Sequence, residues 1–217
     1  MTDGGVPLEL SVVGYDHPDA VALVEAVQLV YIERYGGVDA TPVDPAEFAP
    51  PTGLFLVGYA NGRPVCCGGW RTRQPEQPAP EEPAPEEPAP EEPAPEEPAP
   101  EEPASNGRRV GAHSTLSRPS QHTAAQSASA YANGDGDAEL KRMYVVDRAR
   151  GRGFARRLLA ELERTAAGAG ARRMVLETGT RQPEAIGLYR SAGYHPIPGF
   201  GVYRCAPGSR YFGKPLG

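Results

Sequence analysis

The sequence predicts an α/β (α+β) fold: a mixed, mostly antiparallel sheet of six to seven strands, flanked by helices on both faces and interrupted by one long insertion. Two observations predict it. Apolar residues alternate with period 2 in some segments and recur at i, i+4 in others, in the order βα, ββ hairpin, β-turn-α, βα, ββ. Residues 78–102, in contrast, are five copies of PAPEE, followed by Pro103 and Ala104. A tract of proline, alanine and glutamate buries too little apolar surface to offset the entropy of ordering it. The next stretch shows neither period, so residues 74–137 read as one disordered insertion and the chain, 1–217, as a single domain around it. The repeats suit a solvated polyproline II spacer, or a proline-rich ligand for a partner domain.

Each element has its own signal. Residues 8–13 alternate as a half-buried strand, and Asp16 is placed to cap a helix with Pro18 in its first turn. Leu23, Val27 and Val30 carry that helix to the "YGG" at residues 35–37. A loop with one helical turn at 45–48 leads into a hairpin, residues 54–59 and 65–70 about Asn61-Gly62. After the insertion, Leu140, Met143 and Val145 mark a fourth strand. Phe154, Leu158 and Leu162, widened by Ala155 and Leu159, form the apolar face of a helix that Gly168 and Gly170 stop. "RRMVLET" is a fifth strand, residues 183–193 a helix opened by Pro183 and closed by Gly193, and the tail a pair of strands broken by Pro and Gly.

Charge and composition narrow the function. Setting aside residues 74–104, which hold eleven glutamates and no Lys or Arg, turns a formal charge of −6 into +5. Of the 22 basic residues 20 are arginine, so a single arginine says little. Cys66, Cys67 and Cys205 lack CxxC spacing, and His17, His113, His122 and His195 lack ligand spacing, so neither a disulfide framework nor a metal site is expected. The N-terminus shows no charged leader with an apolar run, and no stretch of 18 apolar residues occurs; a soluble, cytoplasmic protein without a membrane partner is the expectation.

The densest signal is "RARGRG", residues 148–153, between the fourth strand and the helix after it. A helix N-terminus leaves backbone N–H groups unpartnered and carries partial positive charge, so it draws anions. Gly151 and Gly153 let the backbone approach a pyrophosphate closely, and Arg148, Arg150 and Arg152 add donors. A dinucleotide fingerprint would need a third glycine where Arg156 stands, and no Walker lysine follows. Arginine and glycine without interleaved aromatics, where a helix must begin, argue against a nucleic-acid partner.

This run resembles the R/Q-x-x-G-x-G/A motif of the GNAT superfamily of acyl-CoA N-acyltransferases, and the likeness extends through the early helix, "GLFLVGYANGRPVCCGGWR", "ELKRMYV" and "AIGLYRSAGY". The resemblance implies acetyl-CoA as co-substrate, no metal, and transfer of an acetyl group to a primary amine by direct attack through a tetrahedral intermediate. The acceptor would be a small amine or a protein amino group, and a homodimer stays open. The resemblance also assigns residues: backbone groups of Met143, Tyr144 and Val145 would hold pantetheine and acetyl, and the turn through Arg148, Arg150, Gly151, Arg152, Gly153, Phe154 and Ala155 the pyrophosphate. Gln182 stands where the family often has an asparagine against the pantetheine. Tyr189 falls where the family places the tyrosine that protonates the CoA sulfur, and Glu139 where several members carry a basic carboxylate. Tyr35, Asp39, Asp44, Glu47, Phe200 and Tyr203 fall in regions that choose the acceptor. A non-catalytic acyl-CoA sensor, with the Pro/Glu tract binding a partner, is the alternative.

Overall fold

Seven strands form one sheet in the order β1-β2-β3-β4-β5-β7-β6 in the computed structural model, which describes residues 6–73 and 136–217. β1 (Glu9–Val13), β2 (Gly53–Ala60), β3 (Arg63–Thr72) and β4 (Asp137–Val145) are successive antiparallel neighbours. β5 (Arg173–Gly179) lies parallel to β4 and antiparallel to β7 (Ser209–Pro215), which also carries the short β6 (His195–Pro196). The β2–β3 hairpin turns at Asn61 and Gly62, with φ of 51° and 69°, the left-handed pair of a type I′ turn.

Neighbouring residues of β2 and β3 point into different cores, which sets the helices on opposite faces. Phe55, Val57 and Cys67 pack with Ala20, Leu23 and Val27 of α1 (Pro18–Tyr35) and with Phe48 of a 3-10 turn, Pro45–Phe48. Leu56, Cys66 and Trp70 pack with Phe154, Leu158 and Leu162 of α2 (Phe154–Gly168), and Tyr189 of α3 (Pro183–Ser191) joins them. Trp70 also donates its indole N–H to Thr165 Oγ at 3.0 Å, tying β3 to α2.

Two sequence expectations shift. The cap of α1 is His17, whose Nδ1 accepts the Asp19 N–H at 3.2 Å, rather than Asp16. The insertion also ends earlier than its composition suggests. Asp137 opens β4 fully buried, its two oxygens receiving Arg173 Nε at 2.8 Å and Nη2 at 2.7 Å. Arg73 adds a third contact at 3.4 Å, so three ionic hydrogen bonds fix a residue that reads as part of a polar Gly/Asp run. The expectation of disorder over 74–135 lies outside the described residues.

The feature that positions the site is a split in the sheet. β4 pairs with β5 only from Asp137–Arg173 to Glu139–Val175, and beyond that point the two strands separate. An extra residue bulges β4 in the same place: its register against β3 slips between Cys67 and Gly69, and Arg142 takes a φ of 56°. A bulge bends its strand and increases its twist, so it turns β4 away from β5 and leaves that edge without a strand partner.

Candidate active site

Two cavities meet in the split. One, about 380 Å3, lies between α1, the β4 bulge, the end of β5 and the loop before β7. The other, about 300 Å3, runs from the split to the start of α2. They share Met143, Gln182, Ala185 and Tyr189. A group held there is reached from both sides.

The cavity toward α2 gathers most of the residues predicted to bind the cofactor. Met143, Tyr144, Val145, Arg150, Gly151, Gly153, Phe154, Ala155 and Gln182 all line it. Arg148 and Arg152 do not line it; Arg148 Nη2 donates to the Pro64 carbonyl at 3.4 Å. Gly151 and Gly153 both have φ of 76°, with open space where a Cβ would stand. Gly153 caps α2 without any side-chain bond, so the first-turn N–H groups face this cavity uncapped. The Phe154 ring is core, and its contribution here is backbone. Uncapped donors, two left-handed glycines and the Arg150 guanidinium suit a pyrophosphate, so the cradle fits the CoA that the sequence motif implies.

Tyr189 stands at the junction, 7% exposed, with its hydroxyl 3.8 Å from Met143 Sδ. Burial, and then the neighbouring Tyr31, push its phenol above the ordinary value, so it holds its proton at any working pH. Glu139 is placed elsewhere. One oxygen accepts Arg71 Nε at 3.0 Å, the other lies 2.8 Å from Lys141 Nζ, and the side chain faces a separate cavity of about 300 Å3. The structure does not bring Glu139 together with Tyr189.

The larger cavity holds residues that the sequence reading passed over. Tyr31 lines it beside Tyr35, one helical turn apart on α1, a spacing that could have been noticed. Arg142 is buried and ion-paired to Asp39, with its Nε lacking a partner. Burial raises the Asp39 carboxyl, but Arg142, hydrogen bonds from Thr41 and the charge of Lys141 outweigh it and hold the carboxyl low. Glu177, near the end of β5, accepts the Ser209 hydroxyl at 2.7 Å. Of the expected acceptor-side residues, Tyr35, Asp39 and Tyr203 line this cavity. Glu47 and Phe200 line the neighbouring one, while Asp44 caps the 3-10 turn.

Comparison with known proteins follows the same lines. The model of the acetyltransferase (GNAT) family matches residues 24–194. The chain belongs to this family. As a GNAT protein it is similar to an IAA acetyltransferase of Azospirillum brasilense, 43% identical over 81 residues, which cover 37% of this chain and 53% of that one. The match thus spans about half the length of the curated relative. A Klebsiella pneumoniae structure, named provisionally an acyl-CoA N-acyltransferase, superposes with a TM-score of 0.59 at 21% identity, covering 97% of this chain and 98% of the other. A Salmonella typhimurium protein solved with its cofactor acetyl-CoA gives 0.52 at 14% identity, over 97% and 95%. These structures share the fold; the family match is what places the chain among the GNAT proteins.

Proposed function

We propose that the chain is an N-acetyltransferase that moves the acetyl group of acetyl-CoA onto a primary amine by direct attack. The observation that carries this reading is the meeting of a phosphate-cradling cavity and a tyrosine- and carboxylate-lined cavity at Met143, Gln182 and Tyr189. The thioester would lie at that junction, with the CoA arm running to the start of α2 and the amine arriving from the other side. The edge of β4 that β5 leaves unpaired would hold the pantetheine along Met143, Tyr144 and Val145, and the Val145 N–H, which points away from β3, is a backbone donor for the developing oxyanion. Tyr189, held protonated, supplies the proton to the departing sulfur. The amine acceptor, which the family supports, and the cytoplasmic setting both belong to this reading.

The test measures thiol release from acetyl-CoA with phenethylamine, spermidine and lysine as probes. Tyr189→Phe is expected to lower kcat by about 10²-fold or more, the usual yield of one general acid, with the calorimetric Kd for acetyl-CoA little changed. Full activity in Tyr189→Phe removes the assigned acid. Acetyl-CoA binding with no turnover for any amine replaces the enzyme by an acyl-CoA sensor.

A further inference from the structure

Of the carboxylates lining the cavities beyond the junction, Glu177 stands apart. Asp39 is paired with Arg142, Glu139 with Arg71 and Lys141, and Glu47 with Arg71. Glu177 has no cation within ion-pair distance among the described residues; one oxygen takes the Ser209 hydroxyl. It lines the larger cavity and also the one in which Glu139 lies, and shares both positions with Lys141 and Tyr203. It sits near the end of β5, where the strand has already left β4 and faces the gap.

A half-buried carboxylate without a cation is costly unless a ligand supplies one. Given the transferase reading, on which this inference rests, we propose that Glu177 receives the acceptor's ammonium, takes its proton, and thereby selects cationic primary amines. The ammonium gives one proton to the Glu177 carboxylate and becomes a free amine. Its lone pair forms the C–N bond as the carbonyl π pair moves to oxygen; the pair then returns and the C–S bond breaks. Tyr189 gives its proton to the thiolate, and the second proton lost by nitrogen as the amide forms makes up for it. The products are an amide, a thiol and one proton released through Glu177.

The groups around Glu177 agree with this role. Burial raises its carboxyl; the Ser209 hydrogen bond and Lys141 of β4 oppose that, while Asp39 and Glu139 add to it. Tyr31 of α1 and Tyr203 of the loop before β7 also feel its charge. The carboxyl therefore titrates above the ordinary carboxylate range, nearer to working pH, where a base is most effective. It must be ionised to accept a proton, so kcat/KM rises with pH through its titration.

The experiment compares the wild type, Glu177→Gln and Ser209→Ala in the thiol-release assay across pH. The expected result for Glu177→Gln is a 10²- to 10⁴-fold loss of kcat/KM and loss of the acid limb, with the Kd for acetyl-CoA and the Tm held. Ser209→Ala removes a bond that favours the carboxylate, so its acid limb moves to higher pH. Wild-type kcat/KM in a folded Glu177→Gln, or an unmoved acid limb in Ser209→Ala, overturns the assignment. If the wild type releases no thiol with any probe, the transferase reading fails by itself. Calorimetric binding of the same amines to the CoA-saturated protein then decides the anchor: a tenfold loss in Glu177→Gln supports it and equal binding overturns it.

Discussion

Single residues in this site carry charge where burial makes charge expensive. The Asp39–Arg142 pair joins the loop after α1 to the β4 bulge, and the Asp39 N–H is held by Gln28 of α1 at 2.9 Å. Because the folded-state pKa of Asp39 is depressed, the stability it contributes is present above its unfolded value of about 3.9 and fades as pH falls through the folded value. Asp39→Asn is expected to cost about 3 kcal/mol at pH 7, as breaking a buried pair does, and the gap to wild type should narrow below about pH 4. Urea unfolding at both pH values measures this. Tyr189 and Glu177 depart from their ordinary values in the same direction, with different effects: the phenol, protonated in any case, becomes a weaker acid, and the carboxylate becomes a stronger base.

At the scale of elements, the site depends on how strands and helices end. The bulge and the short β4–β5 pairing open the sheet, and the left-handed glycines turn the chain from β4 into α2 without a capping side chain. Gly151→Ala and Gly153→Ala each force a Cβ into positive φ, a cost of about 1 kcal/mol. Open space surrounds both positions, so the fold should tolerate each change. Tm should drop by a few degrees, while the Kd for acetyl-CoA rises tenfold or more because the cradle changes shape. Calorimetry beside thermal unfolding separates the two effects, and an unchanged Kd would move the phosphate site off this turn.

Across the whole molecule, the long insertion leaves and re-enters at one place. The Arg73 N–H bonds the Asp137 carbonyl at 2.9 Å, and Asp137 is clamped by Arg73 and Arg173. The sheet is therefore already closed across the insertion's ends. Replacing residues 74–135 with a four-residue turn shortens the loop by roughly four doublings, which should stabilise the fold by about 2 kcal/mol. Denaturant unfolding and thiol release on that variant check the prediction; loss of folding would show that the sheet needs the inserted chain.

Local chemistry made much of this legible in advance. The hairpin turn, the apolar face of α2, the left-handed glycines of the turn before it and the limits of α3 rest on near neighbours in the chain, and the structure has them where the sequence placed them. Asp137 was missed because its partners Arg73 and Arg173 are remote and its neighbours are Gly and Asp. Glu177 was missed for the same kind of reason: in "VLET" it reads as one polar residue in a strand. By itself the sequence determined the elements and the glycine-bearing turn before α2, since period, propensity and capping act over a few residues. Only the tertiary structure decided that Glu139 is tied up by Arg71 and Lys141 while Glu177 faces the gap, because ion pairing depends on which strands lie side by side and where they part.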